Sequence, residues 1–288
     1  MKEYLRILRK VVEEGKRKKT RTGIDSFSLE GCIFEHDMSR GFPLLTTKKM
    51  SAKSIMVELE GFIKGITDKR WYQERGCTIW DEWCNPLIVP YGQDEETKRK
   101  MKEERDLGPI YGFQWRHFGA KYEGYDKDYT RQGFDQLKNL LDILEKEPHS
   151  RRMIVSSWNP LDLDKMALPP CHYCFQVIVE GKKLNLLWNQ RSIDVPLGLP
   201  FNIASYGLLL HLLARQFSFE EGKLIGFLGD IHIYENQLEI AKEQLKREPL
   251  ELPRVQTEGP LSVLEWEHKN TTFLDYKSHN KLSYPIAI

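Results

Sequence analysis

Residues 168–176 read LPPCHYCFQ, and residues 188–206 read WNQRSIDVPLGLPFNIASY. Pro169 and Pro170 predict an extended approach to Cys171, because proline fixes its own backbone and restricts the residue before it. An arginine beside a serine follows at 191–192, and Asp194 lies two residues further on. The Gly-Leu-Pro turn at 198–200 then leads Asn202 into an apolar run with helical spacing. A thiol, an anion-binding side chain and an amide so close together in sequence indicate an enzyme.

Working outward, apolar periodicity predicts a mixture of strands and helices. Strands are predicted near 26–36, 153–158, 173–180, 184–195 and 224–234, and helices near 2–13, 51–65, 130–147, 201–217 and 235–247. Regular β-α alternation is missing, which favours an α+β fold around one large sheet. We expect residues 1–288 to form a single domain. Its stretch 94–106 is almost entirely charged, which predicts an exposed insertion spanning about 86–107.

The bulk composition excludes several classes of protein. A net charge of +1 implies no polyanion-binding surface, so no nucleic-acid partner is required. The longest apolar stretch, near 206–214, is too short to cross a bilayer, and the charged N-terminus argues against a signal peptide. Five irregularly spaced cysteines fit a reducing compartment. We therefore expect a cytoplasmic protein that has no membrane as a partner.

The spacing of Cys171 and Cys174 raises metal binding or thioredoxin-like redox chemistry as an alternative. A structural zinc site needs about four ligands, usually supplied as two such pairs. The sequence has no second pair and no nearby histidine cluster. We therefore predict that no metal is bound.

Cys171 is a candidate nucleophile, although a buried, inert cysteine is the commoner outcome for an isolated cytosolic thiol. A free thiol has a pKa of about 8.5 and needs a nearby cation to react well at neutral pH. Arg191 and the pair Arg151 and Arg152 could supply it. With Arg21 and the hydroxyl of Ser192, these guanidinium groups suit a phosphomonoester substrate, which arginine binds in a bidentate manner.

Glu58 is predicted at the edge of an apolar helical stripe formed by Ile55, Leu59, Phe62 and Ile63. A carboxylate at this position is either a structural ion pair, the commoner case, or a group in a cavity with a raised pKa.

Ten blocks of this sequence resemble the thymidylate synthase family, in the order in which that family carries them. They are RTG (21–23), FPLLTTKK (42–49), EL (58–59), IWDEW (79–83), GPIYGFQWRHFGA (108–120), SRRMIVSSWNP (150–160), MALPPCH (166–172), QRSIDVPLGLPFNIASY (190–206), GDIHIY (229–234) and YPIAI (284–288). The resemblance covers almost the whole chain.

The resemblance implies a mixed, twisted sheet with flanking helices that dimerises sheet to sheet. The implied reaction is reductive methylation of dUMP by 5,10-methylenetetrahydrofolate, which yields dTMP and dihydrofolate. A sibling activity, hydroxymethylation of dUMP, differs in that water and not hydride quenches the exocyclic methylene intermediate. A non-enzymatic relic that binds nucleotide or RNA would be expected to lack Cys171 or Glu58, and both are present.

The resemblance also implies roles for individual residues. Cys171 is the nucleophile, and the catalytic set comprises Glu58, Tyr111, His172, Asn202, Arg191 and Asp194. The dUMP ligands are Arg21, Arg191, Ser192, Asn202, His232, Tyr234 and, from across a homodimer interface, Arg151 and Arg152. The folate site comprises Lys48, Ile79, Trp80, Trp83, Leu168, Asp194, Leu197, Gly198, Phe201 and Ile288, with Lys48 assigned to the glutamate tail and Ile288 to closure over the folate.

The sequence departs from the family pattern at four places. Gly61 replaces a usual tryptophan, Glu60 replaces an apolar residue, Asn189 replaces a usual tyrosine, and Pro196 occupies a variable position. These changes could reshape the folate pocket. Glu60 is offset from the buried stripe of its helix, so we expect its carboxylate to point elsewhere.

Overall fold

The structure is a computed structural model that describes residues 1–20 and 23–286. The strands are β1 (Lys16–Lys18), β2 (Ser26–Asp37), β3 (Ile154–Ser156), β4 (His172–Glu180), β5 (Lys183–Asp194), β6 (Glu220–Tyr234), β7 (Arg254–Thr257) and β8 (Thr271–Leu274). The helices are α1 (Lys2–Glu14), α2 (Ala52–Lys64), α3 (Lys69–Glu74), α4 (Glu95–Glu103), α5 (Tyr111–His117), α6 (Gln136–Lys146), α7 (Gly198–Phe217) and α8 (Leu238–Leu245).

The main sheet has six strands in the order β1-β2-β6-β5-β4-β3. Strands β5 and β6 are parallel, whereas β1–β2, β2–β6 and β3–β4 are antiparallel. A separate antiparallel pair joins β7 to β8. This arrangement confirms the predicted α+β fold with a large mixed sheet and helices.

The chain divides into two compact units, of which the first comprises residues 1–51, 177–258 and the stretch from Thr271 onward. Parallel strands need a crossover, and α7 supplies it between β5 and β6. Trp188 of β5 is buried, stacks on Tyr206 of α7 and contacts Phe34 of β2. A side chain at Gly226 would come within 2.4 Å of the Trp188 ring, so the neighbouring strand needs glycine there.

The second unit comprises residues 52–176 and 259–270. The stripe predicted for α2 is confirmed, because Ile55, Leu59, Phe62 and Ile63 are all buried. Helix α5 packs closely on α2, and a Cβ at Gly112 would lie 2.8 Å from the Phe62 backbone. Trp115 of α5 contacts Phe175 and donates its indole N–H to Ser157 at 2.8 Å. These contacts give the unit a rigid aromatic core.

The charged stretch 94–106 contains a helix, α4, that apolar periodicity did not predict. Asp94 caps its N-terminus by accepting the backbone N–H of Thr97 at 2.9 Å, and Lys100 pairs with Glu96 one turn earlier. Most of its side chains are exposed as predicted, but Met101 is buried. The helix therefore has a buried face at Met101 and a solvent-exposed face.

Within the described parts of the chain, no helix is both long and apolar enough to span a membrane.

Candidate active site

The backbone around Cys171 is held by a tyrosine from another helix. Cys171 follows the two prolines and immediately precedes β4, and its side chain is half-buried. Its backbone N–H donates to the hydroxyl oxygen of Tyr111 at 2.8 Å. Tyr111 is the first residue of α5, so that helix fixes the position of the thiol-bearing residue.

A stack of three rings fixes Tyr111 in turn. Its ring lies 4.8 Å from that of Phe62 at an interplanar angle of 21°, and 4.3 Å from the His172 imidazole at 24°. All three side chains are buried. Phe62, predicted as a core residue only, is thus also a support of the candidate catalytic tyrosine, which helical periodicity alone does not reveal.

The second unit holds two titratable groups whose protonation is set by burial. Glu58 of α2 is 7% exposed, and burial raises its pKa to about 7, an effect that the nearby Trp80 indole opposes. The indole nitrogen of Trp80 nevertheless has no partner within hydrogen-bonding geometry. Burial lowers the pKa of His172 to about 3, so its imidazole is neutral at physiological pH.

Among the described residues Glu58 forms no ion pair, and burial is the largest cause of the shift in its pKa, which favours the raised-pKa alternative over the structural ion pair. A carboxyl group that titrates near neutrality can both donate and accept a proton, as general acid–base catalysis requires. Trp80 is buried close to this group, with ring distances of 6.4 Å to Phe62 and 6.1 Å to Tyr111. Ile79, Trp83 and Leu168 are half-buried in the same unit.

In the first unit, a relay of side chains orients the amide of Asn202, which lies in the first turns of α7. The indole N–H of Trp188 donates to Oε1 of Gln190 at 3.0 Å, and Nε2 of Gln190 donates to Oδ1 of Asn202 at 3.0 Å. Because an indole nitrogen only donates, it fixes which way each amide faces. Gln190 was not predicted as a site residue, since only its contacts in space reveal this role.

Asp194, at the end of β5, is held at both carboxylate oxygens. Oδ1 accepts the Leu197 N–H at 2.9 Å, and Oδ2 accepts Nε2 of Gln237 at 2.9 Å. Burial raises its pKa, although the Gln237 hydrogen bond opposes that shift. Gln237 also donates to the carbonyl of Pro285, so the C-terminal segment is linked to Asp194. Leu197, Gly198 and Phe201 are half-buried at the start of α7.

Lys48, predicted to bind a glutamate tail, is buried in the first unit. Its ammonium donates to the Pro196 carbonyl at 2.6 Å and lies over the Tyr284 ring at 4.8 Å. Burial lowers its pKa to about 8. In this conformation the ammonium is directed at protein groups, and its role toward a ligand stays a prediction.

The candidate phosphate and sugar ligands are distributed as follows. In the register of β5 and β6, Ser192 lies opposite Asp230 and Asp194 lies opposite His232. The carboxylate oxygen Oδ1 of Asp230 lies 3.0 Å from the ring nitrogen Nδ1 of His232, from which it can accept a hydrogen bond. The rings of His232 and Tyr234 lie 5.4 Å apart, while Arg191 is exposed. Arg151 and Arg152 are exposed in the turn before β3. Arg21 and Ile288 lie outside the described residues.

Two of the departures from the family pattern have structural explanations. A Cβ at Gly61 would lie 2.3 Å from Tyr72, so the Tyr72 ring fills the space beside this glycine. Glu60 is buried, and it accepts hydrogen bonds from Lys64 at 2.6 Å and from the His268 ring nitrogen at 2.6 Å. Its carboxylate is thus directed at the 3₁₀ turn His268–Asn270.

Among residues 1–20 and 23–286, no three His, Cys, Asp or Glu side chains are grouped so that they could hold a metal ion. Neither Cys171 nor Cys174 forms a disulfide bond with another described cysteine.

A half-buried cysteine whose backbone is held by Tyr111, in a unit that also buries a carboxyl group with a pKa of about 7, is typical of enzymes that use covalent, thiol-based catalysis. The chain belongs to the thymidylate synthase family, whose model, described as "Thymidylate synthase", matches residues 2–288. It is 40% identical over 289 residues to the thymidylate synthase of Ascaris suum, covering 100% of this chain and 97% of that protein.

Two bifunctional dihydrofolate reductase-thymidylate synthases are also similar. The protein of Paramecium tetraurelia is 38% identical over 291 residues, and that of Zea mays is 38% identical over 292 residues. In both comparisons 99% of this chain is covered, and it spans 61% and 54%, respectively, of the length of those relatives.

Proposed function

We propose that the chain catalyses reductive methylation of dUMP by 5,10-methylenetetrahydrofolate, with dTMP and dihydrofolate as products. The observation that carries this proposal is the Cys171 backbone held by Tyr111, in a unit where Glu58 has a pKa of about 7. Membership of the thymidylate synthase family supports it independently. Residues 1–288 act as a single catalytic domain in the cytoplasm, with the charged stretch at about 86–107 as an insertion.

The first step is addition of the Cys171 thiolate to carbon 6 of the pyrimidine. A sulfur–carbon bond forms, the 5,6 double bond opens, and its electrons pass to the oxygen at carbon 4 as an enolate. Carbon 5 becomes nucleophilic as a result and attacks the one-carbon unit of the folate. The oriented Asn202 amide binds the pyrimidine edge, because Oδ1 can accept from N3–H while Nδ2 donates to the carbonyl.

The next step removes the proton from carbon 5. Tyr111 is the candidate base, acting with a water held near Glu58 and the neutral His172. Elimination of the folate leaves an exocyclic methylene group. Hydride from the reduced pterin then completes the methyl group, and expulsion of the Cys171 thiolate regenerates the enzyme.

The remaining residues bind the two substrates. Arg21, Arg191 and Ser192 bind the phosphate together with Arg151 and Arg152 of the partner subunit, while His232 and Tyr234 bind the 3′-hydroxyl. Asp194 contacts the pterin, and Lys48 binds the glutamate tail. The folate is also lined by Ile79, Trp80, Trp83, Leu168, Leu197, Gly198, Phe201 and Ile288. These residues offer a fit to folate, since aromatic rings suit a pterin and a carboxylate suits its N–H groups.

The homodimer is supported by an apolar surface on the strands of the first unit. Ile33 and Phe227 are direct partners across β2 and β6, yet they are 54% and 40% exposed. Ile178 of β4 is 37% exposed. Large apolar side chains exposed on a sheet are typical of a protein interface, and a second copy of the chain is the occupant that we propose.

Product analysis tests the reaction. Purified protein with dUMP and 5,10-methylenetetrahydrofolate should give dTMP and dihydrofolate in equal amounts, with the absorbance rise of dihydrofolate. Formation of 5-hydroxymethyl-dUMP and tetrahydrofolate without that rise would identify a hydroxymethylase instead. The buried Tyr72 ring fills the space beside Gly61, so this departure from the family pattern gives no support to the hydroxymethylase alternative.

Subunit mixing tests the shared site. Cys171→Ala and Arg152→Glu subunits should each be inactive alone, and hybrids of the two should regain activity because one of their two sites is intact. Inactive hybrids, with heterodimers demonstrated by mass, would show that Arg152 acts within its own subunit.

A further inference from the structure

Lys69 is a buried lysine that the proposed reaction does not use. It is the first residue of α3 and is only 1% exposed. Its ammonium donates to the carbonyl oxygens of Met101 at 2.7 Å, Trp83 at 2.9 Å and Asp81 at 3.2 Å. An ammonium group has three N–H donors, so these three acceptors saturate it.

Two of the three carbonyls belong to the segment that carries Trp80 and Trp83. The third belongs to the last turn of α4, where helix carbonyls lack partners within the helix and attract a cation. Lys69 thus connects the candidate folate loop with the charged insertion. A buried ammonium is costly unless it is fully hydrogen-bonded, and here its bonds hold together two segments that are distant in sequence.

The backbone around Lys69 strengthens this connection. The N–H of Lys69 donates to the carbonyl of Arg105 at 2.8 Å, and that of Leu107 donates to Thr67 at 2.9 Å. On the other side, the N–H of Asn85 donates to Asp106 at 2.7 Å. The returning end of the insertion is therefore hydrogen-bonded both to the residues beside Lys69 and to the end of the tryptophan loop.

The insertion has a second anchor on the same loop. The hydroxyl of Tyr91 donates to the carbonyl of Cys84 at 2.7 Å, and its ring lies 6.0 Å from that of Trp83. The same hydroxyl contacts the carbonyl of Ala167, a short distance before Cys171 in sequence. The insertion therefore contacts the backbone of both functional segments of the second unit.

We propose that Lys69 is a positioning residue: its ammonium, closed in by the insertion, sets the conformation of the loop of residues 79–85 that carries Trp80 and Trp83. This inference rests on the proposed function for its effect on folate, but the loop geometry itself does not. Without the ammonium, three carbonyls lose their donor in a buried place, and the loop loosens. Folate binding then weakens, and water gains access to the methylene intermediate.

The test compares Lys69→Met, which keeps the length and loses every donor, with Lys69→Gln, which keeps two N–H donors. Lys100→Met is the matched control, because Lys100 is an exposed lysine of α4 whose one ion pair among the described residues is with Glu96. For Lys69→Met the KM for folate should rise about tenfold while the KM for dUMP stays within about twofold, since none of the proposed dUMP ligands belongs to the loop of residues 79–85. The KM of Lys69→Gln for folate should lie between those of Lys69→Met and the unmodified protein, and the KM of Lys100→Met should match that of the unmodified protein.

Hydrogen exchange provides a readout that does not depend on activity. In the Lys69→Gln full-length protein, amides of residues 79–85 and 101–107 should exchange faster, whereas those of α2 and α5 should not. Unchanged exchange at 79–85, or a uniform rise across residues 52–176, would overturn the positioning role. If the unmodified protein does not convert dUMP at all, the proposed function fails, while the exchange result still decides the role of Lys69.

Discussion

The hydroxyl oxygen of Tyr111 accepts the backbone N–H of Cys171 at 2.8 Å. This bond joins the first residue of α5 to the residue that precedes β4, two places far apart in sequence. The same tyrosine stacks on His172, so one buried residue holds both the backbone of the candidate nucleophile and the residue that follows it. A side chain held in this way approaches a substrate in a fixed geometry, which lowers the entropy lost in forming the covalent bond.

The nucleophile is predicted to be Cys171 and not Cys174. Burial raises the pKa of the Cys174 thiol, which disfavours its thiolate, whereas Cys171 is the residue held by Tyr111. Incubation with 5-fluoro-dUMP and 5,10-methylenetetrahydrofolate should give a covalent adduct that fragmentation by mass spectrometry assigns to Cys171. Cys171→Ser should abolish it and Cys174→Ser should retain it. An adduct on Cys174 would contradict the assignment.

Glu58→Gln is predicted to abolish turnover and to stabilise the protein at high pH. Burial raises the pKa of Glu58 to about 7, so the folded chain binds this proton more tightly than the unfolded chain does. The contribution of Glu58 to the free energy of unfolding therefore falls as the pH rises through about 4.5 to 7. This contribution is about 3 kcal/mol smaller at pH values above that range than at pH values below it.

Urea denaturation at pH 5 and pH 8 measures this effect. The free energy of unfolding of Glu58→Gln should exceed that of the unmodified protein by up to about 3 kcal/mol at pH 8 and by only about 1 kcal/mol at pH 5. An equal difference at both pH values would show that Glu58 does not titrate between them.

His172 is predicted to remain neutral throughout the range in which the enzyme works, because burial lowers its pKa to about 3. In protein with isotope-labelled histidine, one ring signal should keep the same chemical shift from pH 5 to pH 8. Its disappearance in His172→Gln identifies it. A shift of that signal with a midpoint near 6 would mean that the imidazole is protonated at the lower end of this pH range, which contradicts the prediction.

The residues show what the sequence could predict. Apolar periodicity located α2 and its stripe because packing repeats every few residues. The order of the motifs assigned candidate roles to Cys171, Tyr111 and Glu58, and these roles stay predictions. Helix α4 was missed, since a nearly all-charged segment gives no apolar period; its signals were the Asp94 cap and the spacing of Glu96 and Lys100.

Contacts between residues distant in sequence could not be predicted. The relay from Trp188 through Gln190 to Asn202, and the three carbonyls around Lys69, depend on where different segments meet in space. No local pattern encodes such a meeting. The pKa of Glu58 belongs to the same category, because helical position alone favoured an ion pair.

Asn202→Asp is predicted to shift the preference from dUMP toward dCMP. Oδ1 of Asn202 accepts from Gln190, so an aspartate retains that hydrogen bond and changes only the donor Nδ2 into an acceptor. An acceptor suits the amino group of cytosine and leaves the uracil carbonyl without its donor. The kcat/KM for dUMP divided by the kcat/KM for dCMP should fall at least about tenfold in the variant, which corresponds to about 1.4 kcal/mol. Asn202→Ala is the control and should weaken both; comparable turnover of dCMP by the unmodified protein would contradict the assignment.

Gly61 and Tyr72 are predicted to be coupled in stability. Glycine to alanine inside a helix normally stabilises by about 0.5–1 kcal/mol, but here the new Cβ would lie 2.3 Å from the Tyr72 ring and hydroxyl. Tyr72 is fully buried and donates to the Ile66 carbonyl at 3.0 Å, so it cannot easily move aside. Gly61→Ala should therefore destabilise by about 1–3 kcal/mol.

Tyr72→Leu should also destabilise alone, through a cavity and an unpaired carbonyl, by about 2–4 kcal/mol. In the double variant the alanine methyl enters the space that the ring vacates, so the loss should be smaller than the sum by at least about 0.5 kcal/mol. Tyr72→Phe serves as the control that removes only the hydroxyl. Urea unfolding of the four proteins measures the coupling, and additive losses would show that Tyr72 does not take the place of a larger residue at position 61.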